Sequence, residues 1–146
     1  ETRLKPRQLE LEITENAFLG NEEFTGFLLR HLKEMGLRLA IDDFGTGYSC
    51  LSYLRSFPIG TLKISRSFVL DLETDKHYAA IVKAIVAMAK TLKIRVVAEG
   101  VENQEQLVFL KSLGCYAAQG YLFSPPLPAE EMTELLLKNP KTDQPI

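Results

Sequence analysis

Leu37-Arg38-Leu39-Ala40-Ile41-Asp42-Asp43-Phe44-Gly45-Thr46-Gly47-Tyr48-Ser49 is the stretch that decides the fold. Leu37–Phe44 is a short, largely apolar run that ends in two acids and is stopped by glycine, the pattern of a strand buried in a sheet. The pattern recurs at Leu9–Thr14 (LELEIT), Thr61–Ser65 (TLKIS), Ile94–Val101 (IRVVAEGV) and Ala117–Phe123 (AAQGYLF). Helical stripes lie between these runs. Phe24, Phe27, Leu28, Leu32 and Met35 share one face, with Gly36 as the stop. Ile81, Val82, Ile85, Met88, Ala89 and Leu92 form a second stripe. Leu107, Leu110 and Leu113 form a third, opened by Asn103 and closed by Gly114. Met132, Leu135 and Leu136 form a fourth, just after Pro128. Strand alternating with helix predicts an α/β fold, about five parallel strands flanked by helices.

Composition narrows the function classes. The chain has 146 residues, 46% hydrophobic and 25% charged, with a net charge of −2. That is ordinary globular composition, which excludes disorder. The near-neutral charge argues against a nucleic-acid polymer as partner. No apolar run approaches the roughly 18 residues of a membrane span. Cys50 and Cys115 have no CxxC or zinc-like spacing, and the opening Glu-Thr-Arg has no signal-peptide pattern. Reduced thiols in or near the core, and a cytoplasmic location, are therefore expected. His31 and His77 read as surface or packing residues of helices.

Charged side chains gather where the strands end. Glu12 and Glu15 close the first, Asp42 and Asp43 the second, Lys63 lies in the third, Glu99 and Glu102 close the fourth, and Gln119 lies in the fifth. In a parallel α/β sheet, or a barrel made from one, these ends face the same side, where active sites form. Any one acid here has an ordinary account as a helix cap, and Lys63 as a salt-bridge partner. Several carboxylates together are costly unless paired or cation-bound. Glu12, Asp42, Asp43 and Glu99 supply only oxygen donors, the preference of Mg²⁺ or Mn²⁺. Adjacent carboxylates such as Asp42-Asp43 can flank two ions about 4 Å apart and clamp a phosphoryl group. Lys63 is placed to hold an attacking water or stabilise the transition state. The Gly45–Ser49 loop matches neither a Walker A loop nor GxGxxG.

Five segments together resemble the EAL domain family of cyclic di-GMP phosphodiesterases. They are Glu12-Ile13-Thr14-Glu15, Ile41 to Ser49, Leu62-Lys63-Ile64, Val97-Ala98-Glu99-Gly100-Val101-Glu102, and Gln119-Gly120-Tyr121, in the family's order and spacing. The resemblance implies a TIM-like (β/α) barrel with one antiparallel strand, and metal-dependent hydrolysis of cyclic di-GMP to linear pGpG. It implies Glu12 and Asp42 as ligands of one Mg²⁺ or Mn²⁺, and Asp42, Asp43 and Glu99 as ligands of a second. Lys63 then holds the catalytic water, and Glu99 acts as general base. Glu15 braces the loop after the aspartate pair, and Glu102 and Gln119 contact the substrate.

Two departures stand out. The family's Glu-Ala-Leu segment and the next strand, which carries a metal-binding Asn, do not occur in this sequence. Residues 1–138 thus read as the C-terminal portion of an EAL domain, with the N-terminal strands missing, and 139–146 as a tail. Members often follow a GGDEF cyclase-like or sensor domain, and one is expected upstream. Such a portion, with roughly five of a barrel's eight strands, is expected to be inactive alone, and to pair with a second copy or exchange elements with it. The second departure is Ser65, where the family usually has Asp after Leu-Lys-Ile. Two functions accommodate it: a phosphodiesterase, or a degenerate domain that binds cyclic di-GMP as a sensor or regulatory module.

Overall fold

The computed structural model describes residues 3–18, 22–47 and 51–138. The predicted tail, Tyr48, Ser49 and Cys50 lie outside the described residues. Five strands form one sheet: β1 (Glu10–Thr14), β2 (Arg38–Phe44), β3 (Thr61–Ile64), β4 (Arg95–Ala98) and β5 (Ala117–Ala118). All are parallel and neighbour one another in chain order. Helix α1 (Glu22–Glu34) joins β1 to β2, and α2 (Leu51–Ser56) joins β2 to β3. Helices α3 (Arg66–Leu70) and α4 (Lys76–Thr91) join β3 to β4, α5 (Gln104–Leu113) joins β4 to β5, and α6 (Ala129–Lys138) ends the described chain. A strictly sequential parallel order, wound with one hand, keeps the crossovers on one face of the sheet. This is barrel-type winding, without the order reversal of a doubly wound sheet.

Register divides the strands into two faces. Leu39 and Ile41 pair with strand neighbours on the side of Leu62, Ile64, Val96 and Ala98, all of them buried. That layer is part of one core with Leu29 of α1, Val69 of α3, Val82, Val86 and Ala89 of α4, and Leu110 of α5. Each such leucine, isoleucine or valine contributes about 1.5–3 kcal/mol on full burial. The alternate positions Glu10, Glu12, Ala40, Asp42, Thr61, Lys63, Arg95 and Val97 face the other way. Polar groups on that face fall at its two ends. At the strand starts, Arg95 Nη2 donates to Thr61 Oγ1 at 2.7 Å and to Glu10 Oε1 at 3.2 Å, and Thr61 Oγ1 donates to Glu10. The other end carries the acids and Lys63.

Local signals account for the helix ends. Asn103 accepts from Gln106 N at 2.9 Å and Gln106 Oε1 accepts from Asn103 N, so the α5 cap is reciprocal. Gly114 closes α5 at φ +72. Three expectations are corrected. On α1, Phe24, Phe27 and Leu28 are exposed, as is Met35 just beyond it; the buried residues are Gly26 and Leu29, with Leu32 packed against the core. Gly26 turns inward because the Phe57 ring fills the space a Cβ would need. Of the α6 stripe, Met132 and Leu136 are likewise exposed, while Leu135 is half-buried. The fourth and fifth strands stop at Ala98 and Ala118 rather than Val101 and Phe123, because Gly100 turns the chain at φ +71 and residues 120–123 form a turn. Helix α3 was not foreseen.

His31 and His77 are exposed on helices, beside Glu34 and Asp75 respectively. Cys115 is free and 2% exposed. Burial pushes its thiol up from 9.0 to about 11. The neutral thiol is thus favoured in the folded chain. Its contribution is intact below pH 9.0 and is lost as pH rises towards 11. In the native protein at pH 8, Cys115 is expected to resist iodoacetamide and to react fully in denaturant. Mass spectrometry of the modified peptide checks this, and equal labelling in both states would contradict it.

Candidate active site

Lys63 sits on β3 with its side chain 9% exposed, between acids delivered by three other segments. Its Nζ lies 2.7 Å from Glu12 Oε2 of β1, 3.1 Å from Asp42 Oδ1 of β2 and 2.7 Å from Glu99 Oε1, directly after β4. The sheet makes this convergence unavoidable. Glu99 N still donates to Ile64 O at 3.1 Å, so the ladder continues one residue past β4 and carries Glu99 to the Lys63 face. Burial alone disfavours the ammonium. Hydrogen bonds to Glu12 and Glu99 and the approach of Asp42 outweigh it, and hold the lysine above its ordinary value of 10.5. Its contribution to stability is therefore intact at neutral pH and declines only above pH 10.5.

Three carboxylates against one ammonium leave two formal negative charges in excess. Asp42 Oδ1 is buried, with the Lys63 ammonium 3.1 Å away as its ion-pair partner. An excess of negative charge in an all-oxygen donor set fits a hard divalent cation. Among the described residues, however, no three Asp, Glu, His or Cys side chains are arranged around a point that a metal ion could occupy. The carboxylates are drawn onto Lys63 instead.

A bulge separates the two aspartates in role. Between Ile41↔Leu62 and Phe44↔Ile64, β2 advances one residue more than β3. Asp43 takes up the extra residue at φ +51, a left-handed conformation that aspartate tolerates better than most residues. Its carboxylate turns away from Lys63 and accepts from Ser65 Oγ at 2.9 Å. Its carbonyl accepts from Thr46 Oγ1 at 2.9 Å and starts the following turn. The turn is tied to β1 by Gly47 N, which donates to Glu15 Oε2 at 2.9 Å.

Beside Glu99 opens a cleft of about 270 Å³, lined also by Arg66, Gly100, Glu102, Gln119 and Tyr121. The predicted Glu102 and Gln119 thus share one cavity with Glu99. Arg66 Nη2 donates to Glu102 Oε1 at 2.7 Å. The Arg66 stem crosses so closely over Gly100 that a Cβ there would lie 2.1 Å from its Cγ. Arg66 was missed by the sequence reading because it opens the unforeseen α3, and no pattern in the chain pairs it with Glu102. The tie between Ser65 and Asp43 was missed because the two are 22 positions apart. The α3 start that brings Ser65 there has no hydrophobic periodicity to reveal it.

Comparison with known proteins agrees with this geometry. The family model described as the EAL domain matches residues 1–126. A cyclic di-GMP phosphodiesterase of Pseudomonas aeruginosa, NbdA, is 51% identical over 128 residues, covering 88% of this chain and 16% of that protein. Among solved structures, the PaMucR phosphodiesterase in complex with c-di-GMP superposes with a TM-score of 0.85 at 46% identity, covering 88% of this chain and 52% of that one. BlrP1 of Klebsiella pneumoniae, solved as a manganese/cy-diGMP complex, superposes with a TM-score of 0.78 at 40% identity, covering 84% of this chain and 31% of that one. The chain therefore spans about half the length of the PaMucR structure and far less of the curated relative. With its motifs, its sheet and its sequence all matching over most of its length, the chain belongs to the EAL domain family.

Proposed function

We propose that this chain supplies the greater part of the catalytic wall of a domain that hydrolyses cyclic di-GMP to linear pGpG with Mg²⁺ or Mn²⁺. The observation that carries the reading is the Lys63 cluster: three carboxylates from three segments around one buried ammonium, with negative charge in excess. Glu12 and Asp42 would hold one ion, and Asp42, Asp43 and Glu99 a second. When bound, such ions polarise the phosphoryl oxygens and acidify water.

The side chains do the rest. Lys63, released from part of its ion pairing, donates a hydrogen bond that fixes the attacking water. Glu99 accepts the proton as that water adds to phosphorus in line with the breaking P–O3′ bond. The departing electron pair goes to O3′, which takes up a proton and becomes the free hydroxyl of pGpG. Glu102 and Gln119 would contact the substrate, a reading supported by the cleft they share with Glu99. Glu15 holds the turn after Asp43 through Gly47.

The full-length protein with Mg²⁺ or Mn²⁺ is expected to convert cyclic di-GMP to pGpG, read by chromatography. The 146-residue chain by itself, covering only part of the domain, is expected to give no product. Binding of cyclic di-GMP by the full-length protein without turnover would replace this reading with that of a sensor. Turnover by the short chain alone would show that the remaining strands are dispensable. Within the described residues, no helix is long and apolar enough to cross a membrane.

A further inference from the structure

One buried polar side chain has no task in that mechanism. Ser65 is 6% exposed and occupies the cap position of α3, where a serine ordinarily accepts a hydrogen bond from the first helical turn. It makes no such bond. Its hydroxyl is committed elsewhere: Ser67 Oγ donates to Ser65 Oγ at 3.3 Å, and Ser65 Oγ donates to Asp43 Oδ1 at 2.9 Å. A hydroxyl has one proton to give and lone pairs to receive, so the relay runs in one direction, from Ser67 through Ser65 to Asp43. It ends on the residue of the β2 bulge whose backbone is left-handed and whose side chain is exposed. A carboxylate in that setting has rotational freedom unless something holds it.

We propose that Ser65 is a positioning residue, which fixes Asp43 in one rotamer with Oδ1 engaged and Oδ2 left as the oxygen offered to a divalent cation. The inference rests on Asp43 being a metal ligand in the proposed reaction. It reverses the sense of the departure at this position. Serine brings to Asp43 a neutral donor, where a second carboxylate would bring like charge. Ser65 is then a supporting part of a working site rather than a mark of its loss. Partners that orient a ligand in this way typically alter metal affinity or activity by about 10–100-fold when removed.

The test uses the full-length protein, with Ser65→Ala and Ser65→Thr. Mn²⁺ binding is followed by calorimetry and by electron paramagnetic resonance of the free ion, turnover by kcat and KM, and folding by thermal denaturation. Ser65→Ala is expected to weaken one class of bound Mn²⁺ about tenfold and leave the other within twofold. It should lower kcat about tenfold with little change in KM, at an unfolding midpoint close to that of the parent. Ser65→Thr, which keeps the hydroxyl, should restore both quantities. Unchanged Mn²⁺ binding in Ser65→Ala, no rescue by Thr, or a loss that merely follows unfolding would each overturn the proposal. If the parent binds Mn²⁺ without turnover, the phosphodiesterase reading fails while the Mn²⁺ titration still decides the role of Ser65. If the parent binds no Mn²⁺, the premise that Asp43 is a metal ligand fails and the proposal falls with it.

Discussion

Lys63→Met in the full-length protein is expected to abolish measurable turnover and to make the fold depend on added cation. The methionine keeps most of the apolar stem but removes the ammonium that Glu12, Asp42 and Glu99 share. Without a divalent ion, three carboxylates would face one another across a partly dry space. Removing one partner of a buried pair costs about 3–5 kcal/mol, and Glu12, half exposed at 50%, keeps this case towards the low end. Mg²⁺ or Mn²⁺ should restore most of that loss, since a ligand bound only by the folded state stabilises it by mass action. The rate should stay low, by at least about 10²–10³-fold, because no donor is left to orient the water. The divergence is the diagnostic result: metal rescues the melting temperature and not kcat. A variant unstable with and without metal would mean that Lys63 is only structural. A variant with near-parental turnover would remove it from the mechanism.

The second large effect is expected at a residue that carries no chemistry. Gly120→Ala would place a Cβ 2.2 Å from Val101 O and 2.3 Å from Val101 N. Both are backbone atoms in use. Val101 N donates to Gln119 O at 3.0 Å, and Val101 O accepts from Leu122 N at 3.0 Å. No side chain can swing aside to admit the methyl, so the crossing of the two segments must open. Destabilisation of about 3 kcal/mol or more is expected, at the high end for a single substitution. Gln119 would leave the cleft it shares with Glu99, so KM should rise in whatever protein still folds. Denaturant unfolding and steady-state kinetics read the two effects. A midpoint unchanged by the substitution would show that the crossing of the two segments can open at little cost. Gly100→Ala offers the contrast, because its obstacle is the flexible Arg66 side chain, which can yield at the cost of its bond to Glu102.

Much of this was legible in the chain, and for a definite reason. Strand ends announce themselves when a buried run stops in acids, so Glu12, Asp42, Lys63 and Glu99 were readable as one side of one sheet. Once those strands pair in order, their meeting follows from pleat and register alone. What was not legible depends on contacts that leave no local period. The apolar stripe of α1 indicated an inward face through Phe24 and Phe27, but Gly26 and Leu29 are the buried positions, and the Phe57 ring, just after α2, takes the space at Gly26. A stripe on a helix states that something covers it, not which neighbour does. Asp43 was grouped with Asp42 because they are adjacent. The bulge that turns one to Lys63 and the other to Ser65 arises from the mismatch of β2 and β3, which neither segment contains by itself.

The unbroken sequential pairing of the strands has a consequence for quality control. Side chains alternate from face to face along a strand, so a slip of one position between β2 and β3 would move Lys63 to the helix side and Leu62 into the acid cluster. Misregistered chains would then be unable to gather the carboxylates at all. Whatever cation the cluster takes would be captured only by correctly registered molecules, and would withdraw them from the folding equilibrium. A cation site on this cluster would thereby proofread the sheet on which it is built.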